Sequence, residues 1–367
     1  MLYTNKDLKK LIIPLVFEQL LTILVGMIDV VMIAVVGEAA VSGVSLVDTV
    51  NILIINVTAA LATGGAVVAG HFLGQKDPEN ASRSAWQLLL FSVLLSLVIT
   101  VLLLMFHKSL LSLMFGKVEQ EVMDSAVTYL IITAISICPL AIYNSCAALF
   151  RAMNDSRTTM VIAIVMNLIN LAGNAILIYG AKIGVAGAAI ATTLSRIVAA
   201  VIIMILIFNP KKTINFCGQL TFRLNFRLIK KILYIGIPNG LENSLFQLGK
   251  ILLLSLISTL GTYAIAANAV CNTLASFNVL PGQAINLALL SVASLCVGAG
   301  DYEQTRYYTK KLMWISTVFT AVLSVVIILF APMIMKMYQL SPKTTELAVS
   351  VIRWHAMMAV FLWMPSF

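Results

Sequence analysis

Residues 14–37 read PLVFEQLLTILVGMIDVVMIAVVG, and residues 238–261 read PNGLENSLFQLGKILLLSLISTLG. An offset of 224 positions lays Pro14 on Pro238, Glu18 on Glu242 and Gly37 on Gly261. The same offset carries Thr49 onto Thr273, Gly74 onto Gly298 and Asp77 onto Asp301. Each copy is an apolar run longer than the roughly 20 residues a helix needs to cross a hydrocarbon core. A long-period repeat of such runs reads as a duplicated bundle of membrane helices.

The rest of the chain agrees with that reading. Its 367 residues are 60% hydrophobic and only 11% charged, with a mean hydropathy of +1.00. A soluble domain carries about 25% charged residues. Apolar spans recur at roughly 10–36, 45–73, 84–106, 121–147, 158–180, 184–208, 228–260, 263–297, 312–332 and 345 to the end. One such run could be a buried soluble helix, but ten could not. The opening MLYTNKDLKKLIIP is a short basic lead into the first span, read as an uncleaved transmembrane helix.

Net charge +9 would suit a nucleic-acid partner, yet the basic residues sit in short connections and form neither a finger nor a basic helix, so no nucleic acid is expected. They mark one side of a membrane instead. Lys6, Lys9, Lys10, Lys76, Arg83, Arg151 and Arg157 fall on one side, with Lys211, Lys212, Arg223, Arg227, Lys230, Lys231, Arg306, Lys310 and Lys311. Only Lys108, Lys117, Lys182, Lys336 and Lys343 fall on the other. This bias predicts a cytoplasmic N-terminus and an even number of spans per copy, six fitting best. The expected organisation is a six-helix lobe over 1–208, a basic cytoplasmic linker over 209–227 beside anionic lipid, and a second lobe over 228–367. Position 367 corresponds to 143 of the first copy, so the second lobe is expected to be incomplete, with about ten of twelve helices present.

Charged and polar residues inside the spans carry the functional reading. Asp29 lies deep in the first span, where an ionised carboxylate costs several kcal/mol. It is the leading candidate for a coupling residue, protonated in one state and ionised in another; the alternative is a carboxylate held structurally by neighbouring helices. Glu18 lies eleven residues earlier, within about 20° of the same helix face and ~16 Å along the axis. With its repeat partner Glu242 it could form an acidic cleft between the lobes that attracts organic cations, or both acids could pair with cytoplasmic lysines. Asn243 and Lys250 belong to the same polar segment, ENSLFQLGK. Lys250 would line the cleft, neutralise an acid or snorkel. Asn170 and Asn174, spaced i, i+4, share a face and could coordinate a bare cation or hydrogen-bond a protonated Asp29; asparagines also glue membrane helices. Thr192 is a weaker member of that cluster. Pro14, Pro139, Pro238 and Pro281 can kink or hinge their helices.

Other chemistries leave no trace. Neither GxxxxGKS nor GxxxxGKT occurs, so no ATP-driven motor is encoded. Five cysteines without a CxxC and three scattered histidines imply neither a disulfide framework nor a zinc site. No enzyme and no cofactor beyond a coupling ion are expected.

Five segments in this order identify a family resemblance: IPLVFEQLLTILVGMIDVVMIAVVG, GGAVVAGHFLGQKDPENASR, ALFRAMNDSRTTMVIAIVMNLINLAGNAILIYG, GIPNGLENSLFQLGKILL and ANAVCNTLASFNVLPGQAI. The chain resembles the multidrug and toxic compound extrusion (MATE) family, in its DinF/NorM-like bacterial branch. The resemblance implies an all-α, two-lobe bundle of six-helix repeats. It also implies a bacterial inner-membrane antiporter that uses H+ or Na+ to export organic cations, with membrane lipid as its surroundings and a monomeric state. By position, Asp29 resembles the family's first-helix aspartate, and Asn170 and Asn174 its fifth-helix polar pair. Thr192 resembles its sixth-helix hydroxyl and Glu242 its seventh-helix acid. Any Na+ would sit at Asp29, Asn170 and Asn174; Asn174 stands where some members have aspartate. The acidic tenth-helix residue of some members has no counterpart in VIRWHAMMAVFLWMPSF. Two alternatives are a lipid-linked oligosaccharide flippase of the same superfamily, which would show a more cationic cavity, and a transport-inactive truncated membrane protein.

Overall fold

A computed structural model describes residues 3–115, 119–219, 221–258, 260, 262–337 and 342–362. All regular structure among them is helical. The helices are α1 (Asn5–Ala34), α2 (Glu38–Gly74), α3 (Pro78–Phe115), α4 (Gln120–Ile135), α5 (Ile137–Ala152) and α6 (Ser156–Asn174). They continue as α7 (Val185–Ile207), α8 (Phe226–Ser258), α9 (Thr262–Gly298), α10 (Tyr302–Met337) and α11 (Pro342–Leu362). A π-helical turn, Ala175–Gly180, extends α6. The last residues of the tenth span, 363–367, lie outside the described residues.

The duplication is visible in atomic detail. α2 and α9 both contain 37 residues, and their ends differ by the same 224 positions. Each is followed by a residue in the left-handed region, Lys76 (φ 59°) and Gly300 (φ 74°). Each is then followed by an aspartate that caps the next helix. Asn80 N donates to Asp77 Oδ1 at 3.0 Å and Gln304 N to Asp301 Oδ1 at 2.9 Å. These caps satisfy amides that a helix start leaves orphaned.

Seven helices are long and apolar enough to cross a membrane singly, and α4 with α5 passes as one broken span bent by 49°. The single span expected over 121–147 is therefore two helices. The break falls at Ser136, within a turn of Pro139, whose ring nitrogen has no hydrogen to donate to the preceding turn. α1, α8 and α9 run unbroken through Pro14, Pro238 and Pro281. α8 and α11 do not reach the same length-and-composition test among the described residues. In α8 the reason is visible in its sequence: Asn239, Glu242, Asn243, Gln247 and Lys250 interrupt the apolar run.

The outer faces are apolar. Val31 and Met105 are each 67% exposed, as is Ile205, an arrangement suited to lipid rather than water. The two repeats pack against each other at the end that carries the linker. There Leu8, Leu11 and Leu15 of α1 bury against Ala284, Ala288 and Val292 of α9. Tyr3 N donates to Tyr308 Oη at 3.0 Å, and Tyr308 Oη returns a bond to Tyr3 O at 2.8 Å. α2 and α9 meet at their equivalent glycines: a Cβ on Gly74 would stand 2.6 Å from Ala299 N, and one on Gly298 would stand 2.6 Å from His71 Cα. Only glycine allows this approach.

The linker is a packed strap. Ile214 and Phe216 are fully buried, and the Phe216 ring meets Trp86 edge-on at 5.2 Å. Trp86 Nε1 donates to Thr221 O at 3.0 Å, and Gln87 Nε2 to Arg223 O at 3.0 Å. Lys212 Nζ reaches Asp155 Oδ2 at 2.5 Å. Burial raises the Asp155 carboxyl, but Lys212 and the Thr158 amide outweigh it and hold it below the usual carboxylate range.

Candidate functional site

Asp29 sits on the side of α1 that faces α6, and there the sequence-predicted residues converge. Asn174 Nδ2 donates to Asp29 Oδ1 at 2.8 Å. With the Asn170 amide oriented to satisfy both neighbours, its nitrogen donates to Asp29 Oδ1 at 2.9 Å and Oδ2 at 3.1 Å. Its oxygen then accepts from Thr192 Oγ1 at 3.1 Å. The i, i+4 spacing of the two asparagines turns both amides onto one carboxylate. The chain Asp29–Asn170–Thr192 ties α1 to α6 and α7. Asn174 Oδ1 is buried and has no hydrogen-bond partner among the described residues. That atom is an acceptor one amide away from a carboxylate, and the π-helical turn begins immediately after it. Such turns are frequent at functional sites.

These groups line a cavity of about 240 Å³ enclosed by α1, α2, α4, α6 and α7. Three further members were missed in the sequence: Asp48, Tyr129 and Arg196. Arg196 Nη1 donates to Ser136 Oγ at 2.8 Å, the residue at the α4–α5 break, and its field reaches Asp48. The signal that singled out Asp29, a charge within an apolar span, applies equally to Asp48 and Arg196. The cavity thus holds two carboxylates and one guanidinium.

Glu18 lies apart from Glu242. It is only 7% exposed, pairs with Arg151 Nη1 at 3.4 Å and accepts from Thr159 Oγ1 at 3.0 Å. It does not line the cavity that holds Glu242. Helix-wheel arithmetic placed it near the Asp29 face, but a basic residue of α5 captures it. Its ion partner is an arginine rather than a lysine.

Glu242, Asn243 and Lys250 do come together. They line a second, larger cavity of about 510 Å³ between α8, α9 and α11, with Ile23 of α1 and Asn56 of α2 closing its other wall. Lys250 Nζ stands 5.2 Å from the Phe246 ring centroid, a cation–π distance. Of the proposed hinges, Pro139 adjoins a break, whereas Pro14, Pro238 and Pro281 lie inside continuous helices.

Comparison with known proteins gives a consistent result. The MatE family model matches residues 14–176 and 238–366. The chain is 25% identical over 373 residues to a protein of Thermotoga maritima described as probable multidrug resistance protein NorM, covering 99% of this chain and 78% of the relative. It is 26% identical over 333 residues to the probable multidrug resistance protein YoeA of Bacillus subtilis, covering 89% and 70%. Two solved structures share the fold. One is an outward-facing multidrug resistance MATE transporter (TM-score 0.89, 22% identity, 97% of this chain and 79% of that one). The other is a MOP superfamily transporter from Pyrococcus furiosus described as having a binding pocket of reverse polarity (TM-score 0.87, 22% identity, 98% and 81%). The two matched segments, the duplicated bundle and the helix-buried Asp29 cluster agree: the chain belongs to the MatE family, as a membrane transporter of its NorM/DinF branch.

Proposed function

We propose that this chain is a cation-coupled antiporter that exports organic cations across a bacterial inner membrane, with its N-terminus in the cytoplasm. The observation that carries the reading is the Asp29 carboxylate held by the Asn170 and Asn174 amides beside the unpartnered Asn174 Oδ1. A cation needs what this site offers: a negative charge, further oxygen atoms and a cavity to hold it. A proton would sit on Asp29, with Asn174 Oδ1 as acceptor after the amide turns. A sodium ion would use the same oxygens as ligands, a hard donor set of carboxylate, amide and hydroxyl. No covalent chemistry is required.

Coupling runs along α1. Its Asp29 end meets the ion, its middle is clamped by Glu18 to Arg151 and Thr159, and its first turns pack on α9. An ion bound at Asp29 removes the demand for amide donors, so α1 can repack against α6. A shift of α1 is then felt at its contact with the second repeat. The lobes 1–208 and 228–367, joined by the 209–227 strap, would rock against each other, with the α2–α9 glycine contact holding the linker end shut in one state and parting in the other. The ion biases this equilibrium only by its differential affinity for the two states. The protein would act as a monomer in lipid, with the substrate in the cavity of Glu242, Asn243 and Lys250. Export of ethidium by cells lacking their own pumps tests the proposal. Accumulation unchanged by expression of the protein would refute it for that substrate.

A further inference from the structure

Resting on the exporter reading, we propose that the 510 Å³ cavity recognises a peptide-like zwitterion of two to three residues, its ammonium on Glu242 and its carboxylate on Lys250. Three observations carry this. First, the cavity wall is rich in amides. Asn56, Gln247, Asn272 and Gln283 all line it, and among the described residues none of their side chains makes a hydrogen bond. Each presents both donors and an acceptor, which suits a solute rich in peptide groups. The Phe246 and His355 rings and the aliphatic side chains of Ile23 and Val279 also line it.

Second, the cavity carries both signs of charge. Neither Glu242 nor Lys250 forms an ion pair among the described residues, although both line the same space. Charges are rare inside membrane bundles unless they serve a pathway or a partner. An acid alone would specify a cation. An unpaired lysine in the same cavity penalises a second positive group and rewards an anionic one. Third, the spacing sets the length. Eight residues of helix separate the two, about 12 Å along the axis. A tripeptide spans about 10 Å when extended, within reach of the two flexible side chains.

The test is uptake of radiolabelled trialanine into inside-out proteoliposomes of the full chain under imposed H+ and Na+ gradients. Trialanine amide and tetraphenylphosphonium are run in parallel. The expected result is gradient-driven uptake of trialanine at least tenfold above its amide, with Lys250→Gln erasing that preference. Equal uptake of the free and amidated peptides by the unaltered protein would overturn the inference without recourse to any variant. Uptake of tetraphenylphosphonium but not trialanine would overturn it while leaving the exporter reading intact. Uptake of neither would remove both.

Discussion

Replacing Gly298 by alanine tests the contact between the two repeats. The added methyl would lie 2.6 Å from His71 Cα and 2.7 Å from His71 C, and closer still to His71 O. Carbon atoms rest at about 3.5–4.0 Å, so α2 and α9 must separate by about 1 Å at their crossing. The obstructing atoms are backbone, which has no rotamer to escape into. Overpacking of this kind costs about 1–3 kcal/mol. Alanine also favours helix by about 1 kcal/mol over glycine, but that gain is common to every conformation in which α9 stays helical. It cancels when two such conformations are compared. The clash acts only where α2 and α9 touch, so the population ratio should move about 5- to 150-fold toward states in which they part. Spin labels at Gln75 and Ala299, in a background without the native cysteines, read this as a longer distance distribution. Gly249→Ala is the control, because a methyl there meets nothing within 4 Å. An unchanged distribution in Gly298→Ala would refute the claim that this crossing holds the linker end shut.

Three further outcomes follow from the same geometry. Lys76 occupies a left-handed position that its repeat partner Gly300 fills without strain; Lys76→Gly should stabilise the protein by about 1 kcal/mol, read as a higher melting temperature in detergent. Arg151→Ala leaves Glu18 buried with Thr159 as its remaining hydrogen-bond donor and should destabilise by about 3–5 kcal/mol, whereas Glu18→Gln with Arg151→Met should recover much of that loss in the same melting assay. The Asp155 carboxyl lies below its unfolded value of about 3.9. Its contribution is therefore complete above that value and lost as pH falls through the folded one. A spin label at exposed Cys217 should stay immobile from pH 7 to about 4 and loosen below it, while Asp155→Asn should be loose throughout.

Much of this was legible in the sequence because the repeat acts as an internal alignment. Asp77 and Asp301, equivalent by offset, cap equivalent helices; Gly74 and Gly298, equivalent by offset, meet face to face. The Asp29 cluster was legible because i, i+4 spacing fixes which side chains share a helix face, and a carboxylate in an apolar span demands donors. Glu18 was not, since periodicity gives an angle on its own helix but says nothing of the basic residue that α5 brings opposite. The π-helical turn after Asn174 was hidden for a related reason, and the α4–α5 break was signalled by Pro139 alone. Hydropathy sees an apolar run and is blind to where its backbone ladder shifts. Asp48 and Arg196 were visible by the rule that found Asp29. Their significance emerges only once α2 and α7 enclose the same cavity.

The most direct test of the account is gradient-driven transport of ethidium in proteoliposomes by the full chain and by Asp29→Asn, at matched incorporation. The account predicts transport that collapses in Asp29→Asn while ethidium binding at equilibrium survives, because the variant keeps the substrate cavity and loses the ion's charge partner. Equal transport by both proteins would remove Asp29 from the coupling mechanism.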